Sequence, residues 1–149
     1  MGTFYTDCRI ENHQNAARSI PVPRLLVDSG AEHTWIREDR LKELGILPLK
    51  KNISFIMANG KPITRHIGFM VIRVGDAFTV DEVVFAQQGD LELLGARSLE
   101  GLNLMVDAKR KKLVSAGPYP VAWASASLRM HPKMGISGAN DISRTILIK

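Results

Sequence analysis

The chain has 149 residues, enough for one domain of ordinary size with a true core. With 45% hydrophobic and 23% charged residues it has a globular composition, which excludes a disordered chain, and no apolar stretch approaches the ~20 residues of a membrane-spanning helix. The net charge of +5 could suit nucleic acid, but the one dense basic cluster, Lys109-Arg110-Lys111-Lys112, falls where a hairpin loop is expected, so neither a nucleic-acid nor a membrane partner is predicted.

In chain order, FYTDCRI (4–10) and SIPVPRLLV (19–27) predict two strands of a hairpin around the polar stretch ENHQNAAR. The opening MGTFYTDCRIENH has no basic region followed by an apolar run, which predicts no secretory leader. The single cysteine, Cys8, excludes an intramolecular disulfide, fits a reducing cytoplasm, and reads as a packing residue. REDRLKEL (37–44) spaces Leu41 and Leu44 three apart and stops at Gly45, which predicts a short helix. NISFIMA (52–58) predicts a strand that ends in the turn dipeptide Asn59-Gly60. ITRHIGFMVIRV (63–74), the turn Gly75-Asp76 and AFTVDEVVFA (77–86) predict a second hairpin, rich in β-branched and aromatic residues. ARSLEGLNL (96–104) predicts another short helix, weakened by Gly101. LMVD (104–107) and KLVSAG (112–117) predict a closing hairpin.

From Pro118 onward Ala, Ser, Gly and Pro dominate without periodicity, which predicts a domain over 1–117 and a poorly ordered extension over 118–149. Within the extension, Trp123 reads as an isolated anchor or an unordered residue, and RTILIK as a strand without an evident partner. The whole is a mostly β chain with one or two short helices.

One short stretch stands apart. In LLVDSGAEHTWI (25–36) an apolar run ends on an acid and a hydroxyl. Burial of an ionised carboxylate without a partner costs several kcal/mol. Asp28-Ser29-Gly30 alone is compatible with a simple Asx turn at the end of a strand. Its surroundings point further: a hairpin with a Gly tip follows, and then Leu93-Leu94-Gly95-Ala96, an apolar pair and a small residue that open a short helix.

Strand, Asp-Ser-Gly-Ala, hairpin and apolar-apolar-Gly-helix, in that order over roughly Phe4 to Gly117, resemble the retropepsin-like aspartic proteases, the non-viral members more than the viral ones. The resemblance implies an all-β, barrel-like fold with one or two short helices. It implies that Asp28 is the catalytic acid and that Ser29, Gly30 and Ala31 support its loop, with the Ser29 hydroxyl linking two such loops. Met57, Ala58, Asn59, Gly60, Lys61 and Pro62 would form the flap over the substrate. Ile36, Leu93, Leu94 and Gly95 would wall the substrate pocket, with plain core packing as the alternative for Ile36, Leu93 and Leu94.

Such chemistry needs two carboxylates that share one proton, one activating a water and the other protonating the carbonyl of the scissile bond. The chain offers one Asp-Ser/Thr-Gly, and Asp7, Asp39, Asp76, Asp81, Asp90, Asp107 and Asp141 lack that setting. The resemblance therefore implies a twofold homodimer that cleaves extended peptides and needs no cofactor. The chain departs from the viral pattern where Ala96 separates Gly95 from Arg97, at Glu32-His33, and in its polar flap tip. These departures leave a second reading, a dimeric peptide-binding module of the same fold without turnover. His13, His33, His66 and His131 have no partners at ligand spacing, so no metal site is predicted; His33 reads as a surface turn residue and Trp35 as core.

Overall fold

A computed structural model describes residues 3–122 of the chain. Nine strands and two helices follow one another as β1 (Phe4–Asn12), β2 (Asn15–Val27), β3 (Thr34–Arg37), α1 (Glu38–Glu43), β4 (Lys50–Ile56), β5 (Pro62–Val74), β6 (Ala77–Ala86), β7 (Leu93–Leu94), α2 (Ala96–Gly101), β8 (Leu104–Asp107) and β9 (Lys112–Ser115). The class is all-β with two short helices, as the sequence predicts.

Seven strands form one sheet in the order β1-β2-β7-β3-β6-β5-β4, and β1 also pairs with β5. That extra pairing closes a ring through β1, β2, β7, β3, β6 and β5. The 13 residues of β5 make closure feasible, because one edge of the strand serves two partners in turn. Ile63–Ile67 pair with β4 and Val71–Arg73 with β1. Closure removes most of the unpaired edges a sheet would present to other chains. β8 and β9 form a separate hairpin whose loop carries Lys109, Arg110 and Lys111 of the basic cluster, with Lys112 opening β9.

The core fills the ring. Ile10, Ile36, Met70, Ile72, Val83 and Leu94 have no exposed surface. Met70 and Ile72 alternate with less buried neighbours along β5, whereas Val83–Ala86 at the end of β6 and both residues of β7 are buried throughout. Leu41, Leu44 and Ile46 of the α1 region complete this cluster. Truncation of any of these to Ala removes roughly 2–5 kcal/mol of stability. Cys8 belongs to the same core, and burial pushes its thiol up to about 12, which makes it a packing group and not a nucleophile.

The first hairpin differs from expectation. The polar stretch 11–18 is mostly strand, and only His13-Gln14 turn. Glu11 and Asn12 are buried. Each finds a distant partner: Glu11 pairs with Arg73, and Asn12 donates Nδ2–H to the Leu44 carbonyl at 2.9 Å. Local polarity gave no sign of partners 32 and 62 residues away.

The chain divides into two units, Met1–Ala116 and Gly117–Lys149. The second contributes only irregular chain among its described residues, 117–122. The expectations for the rest of the tail, including Trp123, His131 and RTILIK, lie outside the described residues. Among the described residues no helix is long and apolar enough to cross a membrane.

Candidate active site

The Asp28 turn is built by a strand that returns from far along the chain. β7 lies between β2 and β3, parallel to the first and antiparallel to the second, although some 60 residues separate it from either. It pairs Leu93 with Leu26 and Leu94 with Val27, so the last residues of β2 are held on a buried apolar rail. Asp28 emerges where that rail ends.

Backbone hydrogen bonds clamp the loop that follows. Asp28 N–H donates to the Leu94 carbonyl at 3.0 Å, and Ala31 N–H to the Asp28 carbonyl at 3.2 Å. The first turn of α2 donates Ala96 N–H to the Ala31 carbonyl at 2.7 Å and Arg97 N–H to the Glu32 carbonyl at 3.0 Å. Gly30 N–H donates to Asp28 Oδ1 at 3.0 Å, so the Asx turn weighed from the sequence is present. It coexists with an open cleft and does not exclude chemistry there. Asp28 is half-buried and Ser29 is exposed.

Above the turn lies a cleft of about 610 Å³ whose wall includes Asp28, Trp35, Ile56, Ala58, Ile63 and Leu93. Its neighbouring part brings in His33, Ile53 and Phe55. The hairpin of β4 and β5 arches over this space. Ile56 pairs with Pro62 at its end, and Met57–Lys61 make the tip. Met57 N–H donates to the Lys61 carbonyl at 2.9 Å, Gly60 N–H to the Met57 carbonyl at 2.8 Å and Lys61 N–H to Asn59 Oδ1 at 2.9 Å. Ile56 is 72% and Met57 42% exposed, so two apolar side chains of the hairpin are available to a bound chain.

The residues expected to wall a pocket are split apart. Leu93 reaches the cleft. Ile36 and Leu94 have no exposed surface and belong to the core, and Gly95 is buried against the His33 carbonyl. On β3 the neighbour Trp35 takes the cleft position expected of Ile36, because successive strand residues point to opposite faces. Its indole packs 5.1 Å from the Phe55 ring.

His33 is likewise no surface residue. Its ring meets Phe55 edge-on at 5.6 Å, and Nε2 lies 3.1 Å from Glu82 Oε1. Glu82 also accepts Lys50 Nζ–H; this bond first, and His33 second, hold its carboxyl below the usual range. Arg97 stands 3.7–3.9 Å from Asp81, Glu82 and Glu32. Arg65 grips Asp90, which borders the cleft, with two bonds, Nε–H to Oδ2 at 2.7 Å and Nη2–H to Oδ1 at 2.9 Å. That pairing keeps the Asp90 carboxyl low and ties β5 to the loop before Leu93.

The fold agrees with comparison to known proteins. A family model described as aspartyl protease matches residues 9–108, about two thirds of the chain. The chain belongs to the retropepsin-like aspartyl protease family. The matched span contains the Asp28 turn, the 57–61 hairpin tip and the Leu93-Leu94-Gly95 segment of this protease-family chain. No curated protein matches it at a significant level.

The sequence missed the roles of Trp35, Phe55 and the Arg65–Asp90 pair. Trp35 and Phe55 sit on strands whose inward face depends on register. The pair joins residues 25 apart by side chains alone.

Proposed function

We propose that the protein is an aspartic endopeptidase that works as a homodimer, with Asp28 of each chain meeting at a twofold axis. The observation that carries this reading is the shared space. Asp28, the apolar wall of Trp35 and Leu93, and the hairpin residues Ile56, Met57 and Ala58 border one cleft, in a chain of the aspartyl protease family. One Asp-Ser-Gly per chain supplies one carboxylate, and the second comes from a second copy.

In the reaction two adjacent carboxyl groups share one proton. The ionised one takes a proton from water, whose oxygen attacks the scissile carbonyl carbon. The protonated one donates to the carbonyl oxygen. The resulting gem-diol collapses as a proton passes to the leaving nitrogen, and the pair regains its shared proton. Gly30 leaves room at Asp28 Oδ1, and Ser29, exposed beside it, bonds across the axis to the partner loop. Substrate lies extended beneath the hairpin and pairs with its backbone as an added strand. The aromatic and aliphatic wall favours large apolar side chains near the cut.

Cleavage of an unstructured peptide library between about pH 4 and 7 tests this, with wild type beside Asp28→Asn. Cuts that vanish in the variant support the proposal. A folded wild-type dimer that binds peptides without cutting them points instead to the peptide-binding module, the reading favoured by the polar tip Asn59-Gly60-Lys61.

A further inference from the structure

Two hydroxyls lie in the core where apolar groups of the same size would pack without polar cost. Thr34 and Ser98 both have 0% exposure and stand 2.6 Å apart, Oγ1 to Oγ. Their hydrogen positions follow from chemistry. An ionised Asp81 can only accept. Ser98 Oγ–H therefore donates to Asp81 Oδ2 at 2.8 Å. That uses the single hydroxyl proton of Ser98, so Thr34 is the donor across the 2.6 Å contact. Thr34 Oγ1 in turn accepts the Gly95 N–H at 3.0 Å. Asp81 is held from the other side, where Oδ1 accepts the Glu82 N–H at 2.7 Å and stands 3.7 Å from Arg97 Nε.

The Gly95 N–H and the Leu94 carbonyl belong to one peptide group. Its N–H points into this chain of hydroxyls, and its carbonyl accepts the Asp28 N–H. A single rigid plane thus connects the Asp28 backbone to a carboxylate on β6. Bonds in such a series polarise one another, and the series runs in one direction only.

We infer that Thr34, Ser98 and Asp81 are positioning residues for Asp28: a buried relay from the Asp81 carboxylate orients the Leu94–Gly95 peptide, which sets the backbone from which the Asp28 carboxyl projects. The inference rests on the reading of Asp28 as the catalytic acid, since two carboxylates that share a proton tolerate little displacement. Misplacement by about 1 Å costs a reaction on the order of 100-fold.

The test compares wild type with Thr34→Val, Thr34→Ser, Ser98→Ala and the double variant Thr34→Val/Ser98→Ala in the full-length protein. Amide hydrogen exchange at Asp28 and Gly95 is read against the amides of the β5–β6 ladder, and peptide cleavage supplies kcat and KM. In Thr34→Val and Ser98→Ala the Asp28 amide exchanges faster while the ladder stays protected. Their kcat falls by roughly 10- to 100-fold with KM within about twofold. Thr34→Ser restores both readouts, and the double variant is no slower than the worse single one, since either change breaks the same relay.

Unchanged Asp28 exchange in Thr34→Val overturns the inference, as do losses in kcat that multiply in the double variant. Where Thr34→Val does not fold, Ser98→Ala, the smaller truncation, decides by the same readouts. A wild type without peptidase activity defeats the catalytic reading of Asp28; the exchange at Asp28 then decides the relay by itself.

Discussion

A Cβ added to Gly95 would lie 2.3 Å from the His33 carbonyl oxygen and 2.9 Å from that of Glu32. Both contacts are with backbone, which cannot swing aside as a side chain could. Gly95→Ala therefore forces β7 away from the loop that follows Asp28, and stability falls by roughly 1–3 kcal/mol, seen as a lower Tm. Gly30 presents a different case. Its nearest neighbour is the Asp28 carboxylate at 3.2 Å, a group that can rotate. The two glycines of the paired motifs thus have separate tasks. Gly95 permits two segments to touch, and Gly30 leaves the Asp28 carboxylate room to rotate. Cys8 shows the same dependence on surroundings: burial raises its thiol to about 12 and removes it from chemistry at neutral pH.

In the proposed function the β4–β5 hairpin is the element whose shape would bear most directly on substrate. Its tip turns through Gly60 at φ +85°, a backbone conformation that other residues adopt only under strain, and a Cβ there would meet nothing within 4 Å. Gly60→Ala costs about 1–2 kcal/mol of local strain with no clash. Because the tip is exposed, that strain is relieved by a shift of the tip itself. The expected result is a KM raised several-fold, on the order of 3- to 10-fold, with Tm nearly unchanged, measured by peptide cleavage and thermal melting. The base of the hairpin is firmer, since Arg65 holds Asp90 and Lys50 holds Glu82.

At the scale of the whole molecule those same carboxylates set the response to acid. Hydrogen bonds from Lys50 and His33 depress Glu82, and one from Arg65 depresses Asp90. Each binds a proton more weakly in the folded chain than in the unfolded one. The stability they add is complete above the ordinary carboxylate range, about pH 4, and is lost as pH falls through their lower folded values. Tm is expected to be level from neutral pH to about 5 and to drop below about 4. In Glu82→Gln/Asp90→Asn, Tm starts lower at neutral pH and falls less steeply in acid.

Assembly belongs to the same scale. If each catalytic pair draws one Asp28 from each chain, an equal mixture of wild-type and Asp28→Asn subunits, allowed to exchange, retains about one quarter of the activity of the same total of wild type. Independent active chains would retain about one half under the same conditions.

Much of this was legible along the chain. Alternating apolar residues, the turns at Asn59-Gly60 and Gly75-Asp76, and Gly45 after the first helix are local signals, and local backbone physics acts on them directly. Asp-Ser-Gly-Ala and Leu-Leu-Gly are short motifs that carry the family resemblance without any structure. What the sequence by itself determined was therefore the β class, the order of the longer strands and the two helices, and the candidate acid. Only the tertiary structure decided which strand face meets the cleft, Trp35 or Ile36, because a shift of one residue reverses every side chain. It alone threaded Leu93-Leu94 between β2 and β3 and gave Glu11, His33, Thr34 and Ser98 their partners. The pairings Glu11–Arg73, His33–Glu82 and Thr34–Ser98 span 49 to 64 residues, and the physical forces that form them act through space and leave no periodic trace in the chain.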